Sequence, residues 1–421
     1  MTPKRPGYAI VFLLLAETTI LYLLAKSNLP TIISRPFLSV AQISALLGAV
    51  LFSLSFVLAT RFRVIEEAFG GLDRVYRAHH RFGVWAFSLL TAHFLALVLN
   101  GTDAYSAIFV FFFPDYIFGA IALVFLAAIA ATIIFANIPY RAFVIIQKIF
   151  AVPLAFGILH LFTVTSDVSR YHPLGVFMTA MMIAGFISWF YREVIYYFAA
   201  PKTFYTLKMR KDMGNDIGEF TLAPENKNLK FTFGQFGYFT FYSKAVSREA
   251  HPFSFTSPPD ETNLRFSAKG LGDYTDALKN AANGDRVCVR GAYGKFLSAL
   301  VPSDENVLIA GGIGITPFLS LVRSGIKLPR TTFFYCTNSM LDAVYDAELK
   351  MLSGNDGAFK YFIHESDRRG HITADIIEKH CNGVKDKKFY ICGPTMMMKG
   401  ISNGLKIKGV PSRDINFESF N

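Results

Sequence analysis

Six apolar stretches fill the first 200 residues of this 421-residue chain, at about 8–26, 38–59, 79–100, 117–137, 141–165 and 174–198. As helices, all are long enough to cross a hydrocarbon core of ~30 Å, so an all-α membrane bundle of six spans is expected. A hydrophobic share of 52% is too high for an ordinary soluble domain, and this half carries the excess. The pattern changes near Ala200-Pro201, which predicts a membrane domain at 1–200 and soluble domains after it.

Loop charges orient the spans. Lys4, Arg5, Arg61, Arg63, Arg74, Arg77 and Arg141 fall on one side, whereas the opposite loops hold Lys26, Arg35 and Arg170. The positive-inside rule makes the first side cytoplasmic, so both termini and the soluble half are expected there. With no targeting segment evident, a plasma membrane is the expected location. The stretch Ala104–Asp115 is too short to span, and Pro114 argues for an interfacial turn. A net charge of +11 comes without a basic run interleaved with aromatics, so nucleic acid is not an expected partner. Cys288, Cys336, Cys381 and Cys392 all lie in the soluble half and fit free thiols in a reducing compartment. The basic, apolar start lacks a convincing cleavage site, so residues 8–24 read as a retained helix.

The third stretch carries His79, His80 and His93. Helical positions fourteen apart lie about 40° from a common face and about 21 Å apart along the axis, so His79 and His93 form a vertical pair. His80 falls out of register with His93. On the fifth stretch the only imidazole is His160, level with His93 if the two helices run in parallel. A lone membrane histidine can serve packing alone. Three in compatible layers point to axial haem ligation through neutral imidazole nitrogens. His172, beside Pro173, reads as a solvated outer residue.

From Lys202 the runs FYTLKMRKD, GEFTLAP, LKFTFGQFGYFTFYS, HPFSFTS and NLRFSAKG alternate with period two and are separated by turn residues. They predict an antiparallel β-barrel over 201–300. Beyond 300, strand and helix patterns alternate, predicting a parallel α/β domain over 301–421. In VLIAGGIGITPFLSLV, Gly311, Gly312 and Gly314 would let a pyrophosphate approach the backbone where a helix starts. HPFSFTSPP, ending a barrel strand, precedes this turn, and YICGPTMM and NFESFN follow it, with Met396–Met398 expected in the core.

On these residues the chain resembles the ferric reductase and NADPH oxidase superfamily, in which a six-helix haem-binding bundle precedes a ferredoxin-reductase-like FAD and NADPH module. HPFSFTS resembles the flavin motif and KGLGDYT (Lys269–Thr275) the FAD pyrophosphate segment; GAYG and GGIGITP resemble the nucleotide turns and CGP the nicotinamide segment. The resemblance implies that His251, Pro252, Phe253 and Ser254 sit on the flavin, with the Ser254 hydroxyl near N5. It also implies that Thr256, Lys269, Gly270, Tyr274 and Thr275 surround FAD, and that Gly312, Gly314, Thr316 and Pro317 line the NADPH pyrophosphate. Cys392, Gly393 and Pro394 would approach the nicotinamide, and Phe420 would cover the isoalloxazine. Arg368 and Arg369 could meet a 2′-phosphate, with a solvated turn as the alternative.

In one respect the chain departs from that family, where the fifth helix carries two histidines. Counting back from His160, the second slot holds Gln147, a poor haem ligand. The pair His93–His160 is complete, leaving three options: a single outer haem b, an inner one held by His79 alone or with water, or a shift that recruits His80 or another side chain. The resemblance implies electron flow from NADPH through FAD and haem to an outer acceptor. Short outer loops lean toward oxygen, giving superoxide, over a ferric or cupric chelate. A haem-binding membrane subunit that passes electrons to a partner protein is the non-catalytic alternative. With no regulatory segment evident and no obligate protein partner implied, constitutive activity is expected.

Overall fold

The computed structural model describes residues 6–26, 29–100, 114–136, 138, 140–199, 201–300, 305–326, 328–353 and 359–420. Most of the expected interfacial turn at Ala104–Asp115, up to residue 113, lies outside them, as do Lys4 and Arg5. The chain divides into two compact units, Pro3–Ala199 and Ala200–Asn421.

The first unit contains six apolar helical spans: Gly7–Ala25, Pro36–Ala59, Arg74–Asn100, Tyr116–Phe135, Ile145–Thr163 and His172–Ile195. We label the helices α1 (Gly7–Ala25), α2 (Pro36–Ala59), α3 (Leu72–Asn100), α4 (Pro114–Phe135), α5 (Tyr140–Ile149), α6 (Ala151–Thr163) and α7 (His172–Phe190). Helix α2 buries Ser39, Ala41, Ser44, Gly48, Ser53 and Ser55, and these small side chains let its neighbours come close. A Cβ on Gly48 would stand 3.0 Å from Leu90 Cγ of α3, and one on Gly185 of α7 would stand 2.8 Å from the Cα of Ser53. Helix α3 packs chiefly on α2, whereas α6 packs on α4 and α7, so α3 and α6 make little direct contact among the described residues.

The stretch expected as one helix over 141–165 is two helices that meet at Phe150. Pro153 explains the break, because it has no N–H for the carbonyl of Ile149 and its ring crowds that carbonyl. Counting back thirteen positions from His160 therefore crosses an interruption, and Gln147 lies exposed on α5 beyond it.

In the second unit, an antiparallel sheet has the order β4-β3-β6-β1-β2-β5. Its strands are β1 (Thr203–Gly214), β2 (Ile217–Pro224), β3 (Phe236–Tyr242), β4 (His251–Ser254), β5 (Leu264–Lys269) and β6 (Arg286–Tyr293). The sheet closes on itself where Phe255 bridges Phe266 and the Thr256 N–H donates to the Arg265 carbonyl at 2.8 Å. Alternating aromatics fill the barrel, with Phe266 stacked 4.7 Å from Phe220 and tilted 4.5 Å from Phe239. Alternation also predicts a strand at Leu229–Phe233, but none forms there. Gly234 turns the chain at φ +71°, and Phe231 packs 4.6 Å from Phe255 instead.

The following domain is a five-stranded parallel sheet in the order β11-β10-β7-β8-β9. These strands are β7 (Glu305–Gly311), β8 (Thr331–Thr337), β9 (Phe359–Glu365), β10 (Lys387–Cys392) and β11 (Ile415–Glu418). The chain leaves β7 toward β8 and β9, then crosses back to β10 on the other side. The carboxyl ends of β7 and β10 therefore form a topological switch point, the usual ligand crevice of an open α/β sheet. Met398 is in the core as expected, but Met396 is 79% exposed. The run of three falls on an amphipathic helix, Thr395–Ile407, which can bury only one face.

Candidate functional site

In the membrane unit, two imidazoles are held in the same way. His79 Nδ1 lies 2.8 Å from the carbonyl oxygen of Ser55, and His93 Nδ1 lies 2.8 Å from that of Ala41. A carbonyl only accepts, so each Nδ1 carries the proton and each Nε2 keeps its lone pair. The arrangement repeats because α2 and α3 pack side by side over their length, offering two carbonyls of one helix to two histidines of the other. A backbone carbonyl on Nδ1–H is a common device for fixing the tautomer and ring direction of a metal-ligating histidine. These atoms fit haem.

His160 is placed by different neighbours. A Cβ on Gly119 of α4 would come within 3.0 Å of Cδ2, Cε1 and Nδ1 of the His160 ring, so glycine makes the room for this imidazole. The Tyr116 ring lies 6.4 Å away. The histidines thus divide between α3, steered by α2, and α6, steered by α4. His172 is exposed at the start of α7. Nearby, Lys26 forms a 2.5 Å ion pair with Asp167, both side chains 14% exposed, and also donates to Gln42.

In the barrel, the HPFS strand and the KGLGDYT segment meet directly. The rings of His251 and Tyr274 stack at 3.5 Å and 11°. Burial lowers the His251 pKa against the opposing pull of Glu249, so the imidazole is neutral at pH 7. Phe253 stacks 4.9 Å from Phe266, and Ser254 is buried opposite Phe236. Pro252 costs little here, because β4 is a sheet-edge strand. The Thr275 hydroxyl turns back on its own loop, accepting from the N–H groups of Leu271 and Gly272 at 2.9 and 3.1 Å. A Cβ on Gly270 would meet Asp276 Oδ1 at 2.5 Å. Lys269 lies 3.8 Å from Asp342, and Thr256 is fully buried with no partner for its hydroxyl among the described residues.

At the switch point the two turns are in backbone contact. A Cβ on Gly314 would stand 2.7 Å from the carbonyl carbon of Cys392, and one on Gly393 would stand 2.9 Å from the Cα of Gly311. Gly312 differs: at φ +54° its missing side chain faces open space. Thr316 and Pro317 are buried at the start of the following helix, Thr316–Val322, where the Thr316 hydroxyl donates to the Ile313 carbonyl at 3.1 Å. Pro394 caps the helix Thr395–Ile407. Phe420 is 49% exposed just past β11.

Some residues of this site escape a reading of the sequence. Glu418 pairs in register with Cys392 and is only 8% exposed. Burial, with Glu418 beside it, holds the Cys392 thiol well above its usual pKa and therefore neutral. A lone glutamate near a C-terminus reads as solvated. The only signal is its place in the apolar run INFESF. Asp342 is another such residue, tying the turn after β8 to the barrel. Its Oδ2 accepts from the Ser339 N–H and hydroxyl at 3.2 and 3.1 Å, and Asn215 donates to its Oδ1. The ends of β8 and β9 also meet, with Asp367 N–H on the Asn338 carbonyl at 3.1 Å and the Ser366 hydroxyl on the Asn338 side chain at 3.3 Å. Arg368 is exposed there, 3.6 Å from Glu365.

Comparisons with known proteins divide along the same lines. Residues 44–158 match the family described as ferric reductase like transmembrane component, and residues 308–403 match the oxidoreductase NAD-binding domain. Flavohemoprotein A of Dictyostelium discoideum is 30% identical over 187 residues, which is 40% of this chain and 46% of that protein. The 2-halobenzoate 1,2-dioxygenase electron transfer component of Burkholderia cepacia is 28% identical over 218 residues, 48% of this chain and 62% of its own length. The chain thus spans about half the length of the curated relatives it matches. A solved flavohemoglobin from Malassezia yamatoensis is similar in fold, with a TM-score of 0.52 at 16% identity over 93% of this chain and 98% of that one. The chain therefore joins a region matching a ferric-reductase-like transmembrane component, among six helices long and apolar enough to cross a membrane, to one matching an oxidoreductase NAD-binding domain.

Proposed function

We propose that this chain, which has the architecture of the ferric reductase and NADPH oxidase-like flavocytochromes, carries electrons from NAD(P)H across a membrane to oxygen, releasing superoxide. The observation that carries the reading is the carbonyl lock on His93. It presents a basic Nε2 inside a membrane helix of a chain that also holds a nucleotide-binding domain. His93 and His160 would hold one haem b, and His79, locked in the same way, would hold a second. His251–Ser254, Thr256, Lys269, Gly270, Tyr274 and Thr275 would bind FAD. Gly312, Gly314, Thr316 and Pro317 would seat the pyrophosphate of NAD(P)H, with Cys392, Gly393 and Pro394 toward its nicotinamide. Bound flavin supplies the conversion of a hydride into single electrons, and haem their passage through the bilayer.

The residues supply placement and proton control. The neutral Cys392 thiol and the buried Glu418 offer the nicotinamide side of the crevice one weak donor and one acceptor. Phe420, at the exposed end of the chain's last described segment, can be displaced without opening a core. Asp167 neutralises Lys26, so among the described residues the short outer loops keep only Arg35 and Arg170 as exposed charges, which leans toward a small neutral acceptor over a bulky charged chelate. The loop charges support an orientation with both termini in the cytoplasm. The match to the ferric reductase component supports a second reading, reduction of a ferric or cupric chelate.

The purified full chain, reconstituted with FAD and haem, separates these readings. Superoxide-dismutase-sensitive cytochrome c reduction in air, without an added activator, is expected. Chelate reduction under nitrogen at a higher rate would overturn oxygen as the acceptor, and failure to oxidise NAD(P)H would overturn the enzyme.

Two further outcomes test the site. Gly119→Ala should raise helix propensity by about 1 kcal/mol, yet it crowds the His160 ring. Its expected signature is weaker haem retention and a shifted Soret band without a lower melting temperature. Asp342→Ala removes a carboxylate from the turn after β8, which meets the turn that carries Arg368 through Asn338, and frees the Ser339 donors. The NADPH/NADH ratio of kcat/KM should rise about five- to tenfold, the scale of ~1 kcal/mol for one like charge near solvent.

A further inference from the structure

Arg323 follows directly on the helix that the glycine turn opens, and its side chain is 8% exposed. Nε and Nη2 donate to the two carboxylate oxygens of Glu348 at 2.6 and 3.0 Å. Nη1 donates to the backbone carbonyl of Thr256 at 3.1 Å and lies 2.7 Å from Oε2 of Glu219. The guanidinium also sits 5.6 Å over the ring of Tyr345, whose hydroxyl donates to Ser267 at 2.7 Å. Glu348 belongs to the nucleotide domain. Glu219, Ser267 and Thr256 belong to the barrel, and Thr256 is two residues beyond Ser254 of the flavin motif. One side chain therefore joins the end of the nucleotide helix to the backbone that carries the flavin strand.

Stability alone is a poor account of this arrangement. Burying a cation with two carboxylates costs desolvation that their attraction roughly offsets, and apolar replacements of similar size are often neutral. The network specifies geometry. A planar fork bonding to one carboxylate through two nitrogens and to a carbonyl through a third permits a single registry of the two domains, which lysine cannot reproduce.

We propose that Arg323 is a positioning residue for hydride transfer: it sets the distance and angle between the nucleotide turn at Gly311–Gly314 and the flavin strand at His251–Ser254. The inference rests on the functional reading above. A hydride moves only between closely approaching carbon and nitrogen atoms, so a displacement of ~1 Å costs about 100-fold in rate. The residues assigned to the pyrophosphate and to FAD do not include Arg323, which reaches the flavin strand only through the backbone carbonyl of Thr256.

Arg323→Lys and Arg323→Met, purified as full chains loaded with FAD, provide the test. For Arg323→Lys, FAD content and the Kd for NAD(P)H are expected to stay within about twofold of the parent and the melting temperature within a few degrees. Arg323→Met, which leaves Glu219 and Glu348 without their cation, should melt lower and is read on its FAD-loaded fraction. The rate of flavin bleaching in anaerobic single turnover should fall 10- to 100-fold. The long-wavelength charge-transfer absorbance between nicotinamide and flavin, a direct report of their stacking, should weaken in parallel. Glu348→Gln, which keeps shape but loosens one bond, should fall between. Variants whose FAD-loaded fraction bleaches at the parent rate with an unchanged charge-transfer band overturn the positioning role, as does a rate loss that only tracks lost FAD. A parent chain whose flavin NAD(P)H does not bleach overturns the functional reading itself.

Discussion

Gly314→Ala is expected to reduce NAD(P)H-dependent flavin bleaching by about 100-fold or more. The added Cβ would lie 2.7 Å from the carbonyl carbon of Cys392 and 2.8 Å from the amide nitrogen of Gly393. Both atoms are backbone and cannot rotate away. Nor can the second turn retreat, since Gly393 is already against the Cα of Gly311 and the side chain of Met397. To restore ordinary contact the carboxyl ends of β7 and β10 must part by up to about 1 Å, and overpacking of this kind costs about 1–3 kcal/mol. Gly312→Ala is the informative control. It meets nothing within 4 Å and suffers only the strain of its φ of +54°, so a milder loss is expected. Anaerobic stopped-flow at the flavin band reads both. A Gly314→Ala chain bleaching within threefold of its parent would show that the switch point is not where the nucleotide sits.

His93→Ala is expected to leave flavin bleaching by NAD(P)H intact while abolishing superoxide release. The residue belongs to the membrane unit, and the reductase module has its own cores and sheets. With His93 gone, the Ala41 carbonyl loses its donor and His160 loses its counterpart. Haem content should fall, and the Soret band with it. His79→Ala bears on the option that the departure at Gln147 left open. Because its Nδ1 is held by Ser55 just as that of His93 is held by Ala41, His79 is prepared as a ligand to the same degree. Halved haem content is therefore expected, with the remaining Soret intensity unshifted. Unchanged haem content in His79→Ala would reduce the site to a single centre.

Much of this could be read from the chain. Six spans, the change of pattern near residue 200, alternation in the barrel, and strand–helix alternation beyond it are all consequences of local periodicity. The same holds for the candidate residues: histidine in an apolar run, glycines at a strand–helix junction and a proline in an edge strand each carry a local physical reason. What stayed hidden depended on neighbours distant in the chain. The break at Phe150 was legible in principle from Pro153, but the length and apolarity of 141–165 outweighed it. The alternating run LKFTFGQFGYFTFYS forms no strand over Leu229–Phe233, where Gly234 turns the chain at φ +71° and Phe231 packs 4.6 Å from Phe255.

By itself, then, the sequence determined which segments are long and apolar enough to enter a membrane, where most of the strands form, and which side chains are chemically able to bind iron, flavin or nucleotide. These follow from each residue's own hydrophobicity, backbone freedom and functional group. Tertiary structure alone decided how those side chains are prepared. It gave His79 and His93 their carbonyls from α2, cleared space for His160 with Gly119, and set Glu418 beside Cys392. It also closed Arg323 onto Thr256 and made Gly314, rather than Gly312, the position with no room for a side chain. Each of these pairs joins residues far apart in the chain, and only packing, which makes every buried donor find an acceptor and every close approach find a small residue, chooses between the partners that local pattern leaves possible.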